Sequence, residues 1–283
     1  MVASKRKFAS VAALATIGLS VGLSGAAKAN VVLPVTNLEF NQFDGTFTAP
    51  KTLFQTAAPT GWQIGPGGQI SNLIGVGNQG SETSSAGVYA VYNGTGFSNT
   101  VPAGTNFFQA DGNPDFSSTI FQTISGLTAG TTYDLQFQQA AGQQVGFHGD
   151  TTEQWKVFLG VGGVGTACDH ILQTCVVSGN ANNIEVDSTL MLTPSDSNTD
   201  WNNVTMSFTP QASNFLGNGD IVLTFLAWGN GGSTVNEPPT VFLEGVNTPP
   251  VLPEPGALSV LAIGLLGLGG IKLRRRGKRN VAG

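Results

Sequence analysis

The chain has 283 residues, 39 of them Gly, with 10% charged residues and a formal net charge of −5. The charge is unevenly placed. Of twelve Lys and Arg only Lys51 and Lys156 fall within residues 30–249, against sixteen of seventeen Asp and Glu, so that region carries about −14. A surface this acidic repels nucleic acid and anionic lipid and excludes a nucleic-acid partner.

At the N-terminus, Lys5, Arg6 and Lys7 precede an apolar run over 8–23. Ala27-Lys28-Ala29 then puts small residues at the two positions a signal peptidase reads. The pattern predicts a secretory signal over residues 1–29, cleaved after Ala29. The chain is thus expected to use the secretion machinery and to be exported through the inner membrane.

Residues 30–249 are long enough for one all-β domain with a substantial core. Their wealth of Gly, Asn, Thr, Ser and Gln disfavours helix and favours strands joined by turns. Strands are expected at 87–92, 106–110, 119–124, 132–138, 153–159, 190–192, 203–208, 220–228 and 240–246. Tyr133, Leu135 and Phe137 alternate with Asp134, Gln136 and Gln138, and Val204, Met206 and Phe208 alternate with Thr205 and Ser207. Such alternation predicts antiparallel strands with one wet face. The run 221–228 is apolar on both faces and predicts a central strand. Together these elements predict an antiparallel β-sandwich.

Four places in this region invite chemistry. Asp111, Asn113 and Asp115 surround a Gly–Pro turn with spacing that suits a hard cation, so calcium is a candidate ligand, although the same residues make ordinary turns. His148, Asp150 and Glu153 offer acid–base groups, but no nucleophile elbow or metalloprotease helix accompanies them. Cys168 and Cys175 are the two cysteines of the chain, and in an oxidising compartment they predict a local disulfide around 169–174. His170 is the one further soft ligand nearby in sequence, too few for a zinc site. Of the four tryptophans, Trp155 falls in a core alternation. Trp228, ahead of Gly229-Asn230-Gly231-Gly232, is the candidate exposed ring for stacking on a sugar.

The C-terminus reads as a second address. Pro253-Glu254-Pro255 is followed by an apolar run over 256–271 and by Lys272, Arg274, Arg275, Arg276, Lys278 and Arg279. A helix over that run would span roughly 24 Å, short of the ~30 Å hydrocarbon core unless Lys272 and Arg274 snorkel. The basic cluster should remain cytoplasmic, leaving the domain outside.

Two resemblances follow from these residues. Pro253-Glu254-Pro255-Gly256, the short apolar helix and the Arg cluster, in that order, resemble the PEP-CTERM sorting signal over residues 250–283. Membership implies an exosortase, a membrane-embedded protease that would cut near Pro253-Glu254-Pro255 and release or re-attach the domain. More loosely, 121–137, 151–157, 201–209 and 239–246 resemble strand–turn–strand units of galactose-binding-like jelly rolls. That resemblance implies a jelly-roll β-sandwich, and many such domains bind carbohydrate.

The expectation is therefore an exported, surface- or matrix-associated protein that is not an enzyme and binds polysaccharide or another glycan. The alternatives are a structural matrix component without a ligand pocket and, third, a hydrolase, for which no catalytic constellation stands out.

Overall fold

The computed structural model describes residues 30–48, 51–54, 56–67, 74–78, 91–92, 106–116, 118–235 and 237–246. The expected secretory signal, the Pro253-Glu254-Pro255 motif and the C-terminal apolar run lie outside them, as does most of the strand expected at 87–92.

Among the described residues fifteen strands are formed: β1 (Val31–Val32), β2 (Lys51–Leu53), β3 (Gln63–Gly67), β4 (Ile74–Asn78), β5 (Asn106–Asp111), β6 (Ser118–Ile124), β7 (Tyr133–Gln143), β8 (Thr151–Gly160), β9 (Gly165–Asp169), β10 (Thr174–Ser178), β11 (Ile184–Asp187), β12 (Met191–Thr193), β13 (Asn202–Phe208), β14 (Ile221–Gly229) and β15 (Pro239–Glu244). Among the described residues there is no α-helix, only two 3-10 turns at Ala212–Asn214 and Asn230–Gly232. The protein is an all-β sandwich of two main sheets. The first runs β1-β7-β15-β5-β4-β2, with β13 also on β7; the second runs β11-β8-β14-β6-β3, with β12 also on β8. Among the described strands every pairing is antiparallel except β1 with β7, where Val31 and Val32 run parallel to Tyr133 and Asp134.

The patterning explains the layers. In β8, Thr151, Glu153, Trp155 and Val157 are buried while Thr152, Gln154 and Lys156 are partly exposed, the period of two that a sheet with one covered face imposes. β14 is buried at all nine positions because β8 flanks it on one side and β6 on the other, and both its faces are covered. β15 holds the same place in the first sheet, between β7 and β5.

The core forms where inward rows meet. Phe137 and Trp155 both meet Phe225 edge-on, at centroid distances of 5.4 and 6.0 Å. Trp62 bridges Phe108 of the first sheet and Phe225 of the second, at 5.6 and 6.1 Å. Fully burying an aromatic of this kind contributes about 1.5–3 kcal/mol. Trp155 Nε1 donates to Phe242 O at 3.0 Å, so the one polar atom of its ring is satisfied inside the sandwich.

A separate hairpin, β9–β10, lies over the outer face of the second sheet. Phe158, Val164, Cys175, Leu226 and Trp228 form a small apolar cluster beneath it. The turns β6–β7 and β7–β8 carry the chain from one sheet to the other and back. Tyr133 Oη accepts from Thr128 N at 2.8 Å and ties down the first of these turns, where Gly126 and Gly130 take positive φ.

Candidate functional site

The Asp111 loop leaves β5 beside the last strand, with Thr240 opposite Asp111 and Gly112 N donating to Pro239 O at 2.6 Å. Asp111, Asn113 and Asp115 are each at most 3% exposed. Their oxygens serve successive turns: Asn113 N donates to Asp111 Oδ1 at 2.8 Å, and Asp115 N donates to Asn113 Oδ1 at 3.0 Å. One oxygen of Asp111 and the amide oxygen of Asn113 thus hold the loop's own main chain, the Asx-turn role of these residues. The amide nitrogen of Asn113 donates to Val235 O at 3.3 Å. Burial pushes the Asp111 carboxyl up to about 7, against the opposing effect of the Asn113 N–H. Asp115 points elsewhere, toward His170 of the β9–β10 hairpin.

The expected disulfide is formed. Cys168 and Cys175 are cross-strand partners in β9–β10, with Cα atoms 4.0 Å apart. The residues between them close as a tight turn in which Asp169 Oδ1 accepts from Ile171 N at 2.8 Å and Leu172 N at 3.0 Å. Thr166 Oγ1 donates to Pro114 O at 3.1 Å and joins the hairpin to the Asp111 loop.

Trp228 is a correction to the expected exposed platform. The residue is 8% exposed, packed with Phe158 and Cys175 under the hairpin, and Lys156 Nζ lies 5.6 Å from its ring centroid. Gly232 closes over it: a Cβ there would sit 2.6 Å from Trp228 Cζ2, and φ is +89°. The Gly-rich run that suggested an open loop is what lets the backbone cover the ring. Lys156 is itself held by Glu185 at 2.8 Å and Asp187 at 2.9 Å. Partial burial lowers its pKa, but the hydrogen bonds to these carboxylates outweigh that and leave it above the usual lysine value.

His148, Asp150 and Glu153 do not converge. His148 Nδ1 contacts Asp196 Oδ1 at 2.7 Å on the surface, and Asp150 Oδ1 accepts from Ser195 N at 2.9 Å. Glu153 is instead fully buried on the inward row of β8. Thr193 Oγ1 donates to its Oε2 at 2.9 Å and Thr151 Oγ1 to its Oε1. Burial pushes this carboxyl up to about 8 even with the two hydroxyl bonds opposing. Sequence spacing could not separate the exposed pair from the buried acid, because a carboxylate on an apolar row reads like any other polar residue at a strand start.

The cleft with the best-defined chemistry lies at the lateral edge of the sandwich, between β12 of the second sheet and β13 on the first. Its volume is about 280 Å³, and its lining includes Gln139, Leu190, Met191, Leu192, Asn202 and Val204. Gln139 belongs to the inward row of β7 and is completely buried. Its Nε2 donates to Thr189 O at 2.8 Å, while Oε1 has no hydrogen-bond partner among the described residues. Leu190 and Leu192 stand at the mouth, 55% and 70% exposed. Sequence reading missed this site. A signal was present: Gln139 continues the apolar row Tyr133, Leu135, Phe137 of β7, where a polar side chain needs a reason.

No protein-family model matches the chain, and no curated protein does. Solved structures do resemble it. A Stig cyclase from Fischerella sp. TAU, in complex with (3Z)-3-(1-methyl-2-pyrrolidinylidene)-3H-indole, is 15% identical at a TM-score of 0.39, covering 77% of this chain and 96% of its own. A structure titled "CBM4 structure and function" is 12% identical at 0.23, covering 65% and 83%. The CBM22-1–CBM22-2 tandem domain of Paenibacillus barcinonensis Xyn10C is 9% identical at 0.30, covering 82% and 50%. Likeness at these identities concerns the β-sandwich class and nothing finer. It does correct one expectation. The sequence reading expects a protein that is not an enzyme and keeps a hydrolase as a third alternative, whereas the solved structures like this chain include cyclases.

Proposed function

We propose that the chain is an exported, surface- or matrix-associated β-sandwich protein that binds polysaccharide, one sugar ring at a time, in the cleft between β12 and β13. The observation that carries the reading is Gln139. A buried amide oxygen without a partner is costly unless something hydrogen-bonds to it; the oxygen is covered in this structure, so a sugar hydroxyl, a donor of the right size, would reach it by displacing part of the cleft lining. Exposed Leu190 and Leu192 beside it give an apolar wall for the CH face of a ring, and Asn202 offers a further amide at the rim. At about 280 Å³ the cleft lies just under the roughly 300–1,000 Å³ range of drug-sized ligand sites, which suits a single ring or a chain end.

Export and sorting belong to the same proposal. The secretory signal over residues 1–29 would deliver the domain across the inner membrane. The C-terminal segment would anchor it transiently until an exosortase cuts near Pro253-Glu254-Pro255 and leaves the domain at the cell surface, in the extracellular matrix or secreted. The strongly acidic domain suits a neutral or cation-bridged polysaccharide better than an anionic one.

A glycan array probed with purified protein, with and without Ca²⁺, tests the binding. Saturable signal that Asn202→Ala weakens supports the cleft. Uniformly flat signal, with the fold intact, favours a structural matrix role. Signal that disappears only when Ca²⁺ is withdrawn would bring the Asp111, Asn113 and Asp115 loop into the site. The mass of the mature C-terminus from cells tests the sorting: an end near Pro255 is expected, and retention of Arg279 in the major species would overturn it.

A further inference from the structure

The disulfide hairpin and the Asp111 loop meet at a group of side chains that the proposed cleft does not use. Asp115 is 3% exposed, and its Oδ1 has no hydrogen-bond partner among the described residues. Its Oδ2 lies 3.6 Å from His170 Nδ1. A carboxylate oxygen of Asp115 and the sulfur atoms of Cys168 and Cys175 all fall within 4.8 Å of one another. The hydrogen bond from Thr166 to Pro114 fixes the loop against the hairpin, so this proximity is built by two anchored elements. A buried carboxylate beside two sulfurs and an imidazole has the composition of a soft-metal site with the sulfurs locked away.

We propose that reduction of Cys168–Cys175 opens a tetrahedral Zn²⁺ site made by the two thiolates, Asp115 and His170. The S–S bond takes two electrons and two protons from an external dithiol, or two electrons from a phosphine and two protons from water, whose oxygen leaves in the phosphine oxide; either way two thiols result. Zn²⁺ then displaces both thiol protons to solvent and binds the sulfurs. Zn–S bonds of about 2.3 Å place two tetrahedral sulfurs about 3.8 Å apart, a spacing that side-chain rotation in a cross-strand pair can reach. Asp115 supplies the third ligand from beneath. His170, 52% exposed at its side chain, swings in as the fourth from the hairpin turn. The oxidised chain holds no such site, because a disulfide sulfur is no thiolate. The device would keep the hairpin pinned wherever thiols prevail, as before export, and exchange metal for disulfide in an oxidising compartment.

The test uses the full chain, reduced with a phosphine without oxygen and titrated with Co²⁺, then with Zn²⁺. The reduced protein should bind one Co²⁺, with a thiolate charge-transfer band and tetrahedral ligand-field bands that Zn²⁺ abolishes. The oxidised protein should show neither. Asp115→Ala and His170→Ala should each weaken Co²⁺ binding at least about tenfold. Far-ultraviolet circular dichroism, recorded on each sample, separates lost ligands from lost fold. Three results would overturn the proposal: a folded, reduced chain without those bands, equal affinity in both variants and the parent, or loss of strand signal on reduction that Zn²⁺ does not restore.

Discussion

Replacing Glu153 by Gln should stabilise the protein at alkaline pH and remove a specific pH dependence. The carboxyl is buried between Thr151 and Thr193, and burial raises it from 4.5 to about 8. The sign follows from linkage. Between those values the unfolded chain has released the proton and the folded chain keeps it, so stability is full below about pH 4.5 and falls as pH rises through about 8. At about 1.4 kcal/mol per pH unit, the separation integrates to about 5 kcal/mol. For a domain of this size that corresponds to about 10–20 °C in Tm. The introduced glutamine is neutral at every pH. Its amide can accept from one threonine hydroxyl and donate to the other. Thermal or urea unfolding at about pH 5, 7 and 9 should therefore show the parent losing stability relative to Glu153→Gln as pH rises. Parallel curves across that range would refute the reasoning, because they would mean that Glu153 ionises in the folded state as it does in the unfolded one.

Further outcomes follow from the same structure. Asp111→Asn should act in the same direction over a lower window, between the usual aspartate value and about 7, and pH-dependent unfolding measures it. Cys168→Ser with Cys175→Ser should cost about 2–3 kcal/mol in denaturant unfolding, the loss appropriate to a short closed loop. Gly160→Ala should be far worse than an ordinary surface change. Its Cβ would lie 2.5 Å from Asn182 O, a main-chain atom that cannot turn away, and poor soluble yield or a large drop in Tm should report it. Trp155→Phe removes the indole donor to Phe242 O inside the sandwich, at a cost of about 1–3 kcal/mol in unfolding.

The sandwich was legible in the sequence where alternation was clean. β7, β8, β13 and β14 fall on the runs expected for them, and β14 is central because Ile221–Gly229 has no polar face to show to water. β3 and β4 were not legible. Gln63–Gly67 reads Gln-Ile-Gly-Pro-Gly and Ile74–Asn78 alternates with Gly, compositions that favour turns unless a neighbouring strand imposes pairing. β9 and β10 were hidden for another reason: their pairing is local and stapled, and only Cys168 and Cys175 signalled it. The functional side chains were harder still. Trp228 precedes a Gly-rich run, which in sequence marks an open loop and in three dimensions lets the backbone close over the ring. Gln139 and Asp115 gain meaning from partners distant in the chain, Thr189 and His170, which no local pattern can supply.

The binding claim meets its most direct test in the affinity of purified protein for a polysaccharide that scores on the array, measured by isothermal titration for the parent and for Leu192→Asp. Leu192 is 70% exposed, so the substitution changes the cleft mouth without touching the core. The prediction is a saturable heat in the parent and at least about tenfold weaker binding in the variant, a loss of roughly 1.4 kcal/mol. Equal affinity in the two proteins, or no saturable heat with any glycan, would contradict the assignment of the β12–β13 cleft.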